Sequence, residues 1–300
     1  MKKSIELCEK DLWDKEHDSL GTGFSSTRAM GSYTSLVGGD PVLISSGKSV
    51  VALDRVITAP GLLHYSTFIG FSFFSHDMIS YLSTGSENPV TAYICLHPLN
   101  DTIDGEEVDG TLFVVDTLEK LKMSKSVSYK IKSCKKKGVI TSYEKSKNVV
   151  SMFYDLYSNQ HHGKVGRRYT QTIQSIEALL DSNDTFVVNS HIPGTEERAM
   201  SIFGVGGECV DYFLSTSSQC GKDLQAWNVN CAIEECRKRK VRYLNLGGGI
   251  QEGDGLHHFK RRFGGKPFSK RVLKLILDKD RYSKAVLESG STGDKFPPYL

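Results

Sequence analysis

The stretch Arg242–Gly265, RYLNLGGGIQEGDGLHHFKRRFGG, decides how this chain is read. Val241–Leu246 is a short apolar run that predicts a strand. It enters Gly247-Gly248-Gly249, and three glycines after a strand permit positive φ and close approach of backbone to a ligand. Further on, Phe259 and Phe263 are four residues apart and would share one face of a helix, with Lys260 between them. A lysine on a short helix behind a glycine loop can aim its ammonium at charge that develops during a reaction. A surface lysine in a basic turn is the plainer reading.

Upstream, Asp223–Arg239 has the best helical pattern in the chain. The strand Cys209–Ser215 leads to it through Ser217-Ser218-Gln219-Cys220-Gly221-Lys222. A loop ending at a helix N-terminus exposes free N–H groups and the positive end of the helix dipole, which suits an anion. Alternatively, Ser218 or Asp223 simply caps an ordinary helix. Met200–Val205 and Cys209–Ser215 flank Gly206-Gly207 as a hairpin. Gly204-Val205-Gly206-Gly207 is followed by a strand, so it reads as a turn and not as a dinucleotide loop.

The remaining elements alternate between strand-like and helix-like. Pro41–Val56 predicts two strands joined at Ser46-Gly47-Lys48, Val90–Cys95 a strand, and Thr111–Val115 another. Leu118–Lys137 is helix-like up to Gly138, and Val139–Tyr143 is a strand. Val149–Gln160 and Thr170–Leu180 have helical spacing, and Thr185–Asn189 is a strand closed by Pro193-Gly194. Val272–Leu277 and Arg281–Glu288 read as a late strand and helix. Hairpins beside strand–helix–strand crossovers mean an α/β or α+β chain with mixed sheets. Composition shifts near residues 138–150, which suggests a first half at 1–145 and a second at 146–300.

A length of 300 residues suits two domains or one large one, at roughly 100–200 residues each. Apolar residues at 39% and charged residues at 24% are ordinary for a soluble globular protein, which excludes collagen-like, disordered and disulfide-scaffold classes. The net charge of +3 hides a local excess: Lys120–Lys147 holds ten Lys and one Glu. Arg237-Lys238-Arg239-Lys240 and Lys260–Arg271 are further basic runs. Such runs attract phosphates or form solvated helix faces. Seven cysteines, with no CxxC, indicate no disulfide framework and no zinc spacing. A buried, inert thiol is the expected role of each. The opening MKKSIEL lacks an apolar signal core, and a cytoplasmic location is expected. No charge occurs for 21 residues between Arg55 and Asp77, but Pro60, Gly61 and Gly70 favour a loop and a buried element over a membrane span.

Sharper motifs are missing. There is no Walker A loop and no G-x-S-x-G elbow. The pairs His161-His162 and His257-His258 are sequence neighbours whose side chains point apart, so neither alone makes a metal site.

The quoted stretch resembles the C-terminal signature of Fem-type acyltransferases, within the GNAT superfamily, and of the related BioF2-like acetyltransferase domains. That signature is a strand ending in Gly-Gly, a variable loop, then Gly-Leu-x-x-Phe-Lys-x-x-Phe-Gly. Here its positions are Gly247-Gly248, Gly255-Leu256, Phe259-Lys260 and Phe263-Gly264. AYICLHPLN (Ala92–Asn100), YKIKSCKKKGV (Tyr129–Val139) and FPPYL (Phe296–Leu300) are similar to other parts of the family, so the likeness spreads over residues 90–300. HYSTFIGFSF, starting at His64, stands where the family often has a Ser-Pro-Tyr-Gly-Tyr-type loop, and QCGKDLQAW (Gln219–Trp227) supplies one glycine to the phosphate loop.

The resemblance implies two GNAT-like halves, each a mixed, mostly antiparallel sheet flanked by helices, with the second half catalytic and the first on the acceptor side. It implies acyl transfer to an amine, with acyl-CoA (acetyl-CoA) as co-substrate and no metal. The acceptor would be an amino sugar, a sugar nucleotide or another cell-envelope precursor. Aminoacyl-tRNA is the alternative donor, and a binding module without turnover the other alternative. Lys260 matches the family's active-site lysine and would stabilise the oxyanion. Asp254, Glu252, His257 and Asp211 are candidate bases. Ser217, Ser218, Gly221, Lys222 and Asn228 would line the donor side. Gly247, Gly248, Gly249, Phe259 and Tyr212 would shape the substrate side.

Overall fold

The computed structural model describes residues 3–20, 23–59, 62–67, 70–85, 87–161, 170–249, 251–290 and 295–299. Parts of the segments read above lie outside these residues: Pro60, Gly61, Phe68, Ile69, His162, Ile250 and Leu300.

The chain opens with β1 (Lys3–Glu6), α1 (Lys10–Leu20), α2 (Arg28–Leu36), β2 (Pro41–Ser45), β3 (Val50–Ala59), β4 (Leu62–Ser66), α3 (His76–Thr84) and β5 (Thr91–Cys95). It continues with β6 (Glu106–Asp116), α4 (Lys125–Lys136), β7 (Ile140–Ser142), α5 (Lys147–His161) and α6 (Ile173–Leu180). Next come β8 (Thr185–His191), β9 (Arg198–Gly206), β10 (Cys209–Ser217), α7 (Leu224–Arg239) and β11 (Tyr243–Gly247). It closes with α8 (Gly255–Arg261), β12 (Lys266–Ile276) and α9 (Lys279–Ser289).

Two compact units form. The first holds Met1–Val108 with Lys270–Leu300, and the second holds Asp109–Ser269. Each is a mixed α/β unit whose sheet is mostly antiparallel. In the first, the strand order is β1-β2-β3-β4-β5-β12, and only β4 and β5 run parallel. In the second, the order is β7-β8-β9-β10-β11-β6, and only β10 and β11 run parallel. Both therefore follow one plan: an antiparallel meander, a helical crossover (α3 or α7), a parallel strand and a closing strand. The closing strand of the first unit is β12, from late in the chain, and that of the second is β6, which opens that unit in sequence. For this reason the packing units differ from sequence halves, and residue 145 falls inside the second unit.

The first unit is built on Val42, Ile44, Val51, Leu53, Tyr65 and Ile94, all buried between the strands and α3. Trp13 of α1 is fully buried, donates from its indole to Ser26 O at 3.1 Å, and lies where a Cβ on Gly31 of α2 would approach to 2.9 Å. In the second unit, α7 packs Ala226, Val229, Ala232 and Ile233 onto Phe186, Val188, Phe203 and Leu244 of the sheet. At its C-terminus, Lys240 takes the left-handed conformation (φ 59°). Arg237 and Arg239 pair with Glu234 and Glu235, so this basic run is a helix end that complements the dipole.

The α4 helix is shorter than its apolar pattern predicts. Ser124 caps it by accepting from Val127 N, which leaves Leu118–Met123 outside the helix. Gly138 ends it with φ +70°, as read from the sequence. In the neutral stretch after Arg55 the chain forms the end of β3, then β4, and reaches α3; no helix among the described residues is long and apolar enough to cross a membrane.

Candidate functional site

In the second unit the pairing of the two parallel strands ends early. β10 and β11 pair over only three residues, Cys209–Asp211 against Tyr243–Asn245. Past that point both strands lose regularity: β10 slips against β9 between Tyr212 and Leu214, and β11 slips against β6 between Asn245 and Gly247. Bulges of this kind re-aim side chains and end pairing. The last rung is closed by side chains, with Asn245 Nδ2 donating to Asp211 Oδ1 at 2.8 Å and Gly247 N donating to Asn245 Oδ1 at 2.9 Å. A crevice at the carboxyl ends of diverging parallel strands is the usual ligand position in such sheets.

The glycine loop has a separate steric reason at two of its positions. Gly247 has φ +66°, which side chains rarely adopt. A Cβ on Gly248 would lie 2.5 Å from the carbonyl oxygen of Thr111 on β6.

After the loop, Asp254 is the N-cap of α8. Its Oδ1 accepts from His257 N at 2.6 Å and its Oδ2 from Gln251 N at 3.1 Å. Both oxygens of Asp254 thus hold the helix start. Phe259 and Phe263 stack edge to face at 5.2 Å, and Phe263 is fully buried. Phe263 lies just past the helix C-cap Arg262 and not on the helix face expected from its spacing, but the ring pair still packs the end of α8 against the core beside Lys260.

Lys260 is 8% exposed. Its Nζ donates to Gly248 O at 2.8 Å and lies 5.7 Å from the centroid of the Tyr212 ring. An ammonium has three donors, and that carbonyl is its one hydrogen-bond partner among the described residues. Burial lowers its pKa to about 8, partly opposed by Asp254. With a pKa of about 8 the group is mainly cationic at neutral pH, and one carbonyl partner leaves it donors to spare.

The other expected residues divide. His257 is buried against Phe113, edge to face at 5.1 Å, and its Nδ1 has no hydrogen-bond partner among the described residues. His258 is exposed, yet its ring stands edge to face with that of His257 at 5.7 Å, so the adjacent side chains do not point fully apart as expected. Glu252 is exposed, and Asp211 accepts from Asn245. Tyr212 donates to Gln225 Oε1 at 3.2 Å, and Gln225 Nε2 donates to Thr216 O at 2.7 Å. That Gln225 bridge, like the Asn245 clamp, was not singled out in the sequence. The available signal was a polar residue inside an apolar strand or helix face.

On the expected donor side, Ser217 N donates to Gln160 Oε1, and Ser218 Oγ bonds the backbone of Arg198. A Cβ on Gly221 would lie 2.2 Å from Arg198 O, so this glycine permits the loop to touch β9. The amides of Leu224, Gln225 and Ala226 close tight three-residue turns, whereas Lys222 and Asp223 are exposed at the helix start. Asp223 is the N-cap residue without a side-chain cap, and pairs instead with Lys130 at 2.6 Å. Asn228 is set apart from this loop: it is fully buried, donating to Val188 O at 3.1 Å and Ser201 Oγ at 3.2 Å. Its Nδ2 contacts are with the sheet beneath α7, while its Oδ1 is buried with no partner among the described residues.

Four thiols, Cys134, Cys209, Cys231 and Cys236, are buried, and burial pushes them up, Cys231 to about 11 and Cys236 to about 12. Such groups are poor nucleophiles.

No protein-family model matches the sequence, and no curated protein does. Solved structures do match. FemX aligns with a TM-score of 0.64 at 13% identity, over 95% of this chain and 99% of its own. The C-terminal domain of a putative lysylphosphatidylglycerol synthetase from Agrobacterium fabrum aligns with a TM-score of 0.65 at 12% identity, over 95% and 96%. L-PGS from Bacillus licheniformis aligns with a TM-score of 0.63 at 8% identity, over 92% and 94%. The chain thus shares the fold of these proteins, FemX among them, along nearly its whole length.

Proposed function

We propose that this chain is an acyltransferase with its chemistry in the second unit and its acceptor side in the first. It would transfer an acyl group from acyl-CoA to an amine of an amino sugar, sugar nucleotide or other cell-envelope precursor. The observation that carries this reading is the buried Lys260, whose Nζ donates to Gly248 O and faces the Tyr212 ring where β10 and β11 part, with no other hydrogen-bond partner among the described residues. Its fold is shared with FemX and with the C-terminal domain of a putative lysylphosphatidylglycerol synthetase, a name that denotes attachment of a lysyl group, itself an acyl transfer.

In the reaction the amine nitrogen attacks the thioester carbonyl, a C–N bond forms, and the C–S bond breaks. The tetrahedral oxyanion in between needs a fixed cation or N–H donor, and Lys260 supplies the cation. The amine loses one proton and the departing thiolate gains one. His257 is the candidate to receive the first, because Asp254 is engaged in capping and Asp211 is tied to Asn245. The loop at Gln219–Asp223, exposed except at the buried Gly221, would meet the donor's phosphates through its amides and Lys222.

A second reading keeps this chemistry and changes the donor to aminoacyl-tRNA. Its support is α4, where Lys125, Lys132 and Lys136 flank Tyr129 on an exposed face and Tyr129 is 73% exposed.

A thermal-shift titration separates the donors. A ligand at about 100 times its Kd stabilises by roughly 2.7 kcal/mol, which moves melting by several degrees. Coenzyme A or acetyl-CoA, or a longer acyl-CoA, should produce that shift. No shift with any of them, together with salt-sensitive binding of charged tRNA, would transfer the reading to the second donor.

A further inference from the structure

The first unit contains a cavity that the acyl-transfer reading does not use. Its volume is about 20 Å³, which is room for one or two water-sized species. Its polar wall comes from Ser25, Thr34 of α2, Asp54 of β3, and Thr67 and Ser72 beyond β4. Asp54 is the one ionisable residue in that wall, and it is 4% exposed. Asp54 Oδ1 accepts from Asp40 N at 2.6 Å. Thr67 Oγ1 accepts from Cys95 N at 3.1 Å and keeps a second lone pair. Ser72 is fully buried, and its Oγ has no partner among the described residues.

A buried hydroxyl left without a partner is costly, and such an atom in a native fold calls for a bound species. The donors here are hard oxygens: one carboxylate and several hydroxyls. Divalent ions draw on more carboxylates or keep several waters, for which this volume has no room. Met30 and Leu53 complete the wall, and apolar surroundings strengthen the attraction between a carboxylate and a cation. We propose that this cavity binds a small monovalent cation, either an alkali ion or the ammonium head of a small amine, held by Asp54 and the hydroxyls of Thr67 and Ser72. The proposal is independent of the acyl-transfer reading.

The test is the melting temperature of the full chain in lithium, sodium, potassium, ammonium and methylammonium chlorides. Choline chloride at matched ionic strength is the reference, because choline is too large for the cavity. At least one small cation should raise the melting temperature saturably above the reference. Alkali ions acting alone identify an ion site, and ammonium and methylammonium acting alone identify an amine site. Asp54→Asn keeps an oxygen for the Asp40 amide, and Ser72→Ala removes only an unpartnered hydroxyl; each should abolish the increment. Equal melting in all salts means that water alone occupies the cavity and overturns the proposal. An increment that survives in both variants overturns it as well.

Discussion

The Lys260 ammonium donates to the Gly248 carbonyl oxygen at 2.8 Å, tying the last turn of α8 to the glycine loop that leaves β11. One hydrogen bond thereby links the helix that carries the cation to the backbone where β10 and β11 part. Replacing Lys260 with Met keeps most of the volume and removes the charge. Acyl transfer should fall by about a hundred- to a thousandfold, the usual cost of losing one oxyanion donor. The same variant should melt higher, because a buried charge is lost. The depression of the pKa from 10.5 to about 8 corresponds to about 3 kcal/mol, so several degrees are expected. Steady-state rates and calorimetry on one preparation check both directions.

The pH dependence has a definite sign. Lys260 works as a cation, so activity should decline as pH rises through about 8. Stability should do the reverse. Between about 8 and 10.5 the unfolded chain keeps the Lys260 proton while the folded chain releases it, so folding gains as pH rises there. Below about 8 the group is charged in both states, and the full burial penalty is present. The stability advantage of Lys260→Met over the wild type should therefore be largest below pH 8 and shrink toward pH 10.5. Denaturant melts of both proteins at several pH values give this directly.

Asp254 separates capping from base catalysis. Asp254→Asn retains an oxygen for the His257 amide, so most activity should survive. Asp254→Ala removes the cap, costs about 1 kcal/mol of stability, and lets α8 and Lys260 drift. Its kcat should fall more than its KM rises. If Asn is as impaired as Ala, the carboxylate itself acts in the chemistry and the positioning role is wrong.

Gly248→Ala should be more damaging than its small volume suggests. Its Cβ would meet the Thr111 carbonyl at 2.5 Å, and backbone on β6 cannot move aside as a flexible side chain can. About 1–3 kcal/mol of destabilisation is expected, together with loss of activity. Chemical denaturation curves measure the first and transfer assays the second.

Asn228→Ala should lower stability by about 1–3 kcal/mol, because it strips partners from Val188 O and Ser201 Oγ in the core. The KM for the acyl donor should stay as in the wild type. A donor KM that rises severalfold would place Asn228 on the donor side.

The parts of this fold that were legible in the sequence are those set by local rules. The strand–glycine–helix run from Tyr243 to Phe263 could be read because Gly247 needs φ +66° and because Phe259 and Phe263, four residues apart, pack ring against ring. Gly138 marked the end of α4 for the same local reason. What was illegible depends on distant partners. Nothing near β6 or β12 says that each closes a sheet belonging to the other part of the chain, so the packing units could not be drawn from a composition shift near residue 145. The partners of Asn228 were illegible as well, because α7 is buried on several faces, and Asn228 falls on the one against Val188 and Ser201. Asp254 looked like a base because carboxylates often are; only the geometry at His257 N and Gln251 N shows both oxygens in use.

The most direct test of the account is thiol release from acetyl-CoA with a panel of primary amines and amino sugars, run side by side on the wild type and Lys260→Met. The expected result is amine-dependent release by the wild type, reduced at least a hundredfold in a variant that is folded and melts higher. Equal release by the two proteins would contradict the central claim that the buried Lys260 cation stabilises the transition state.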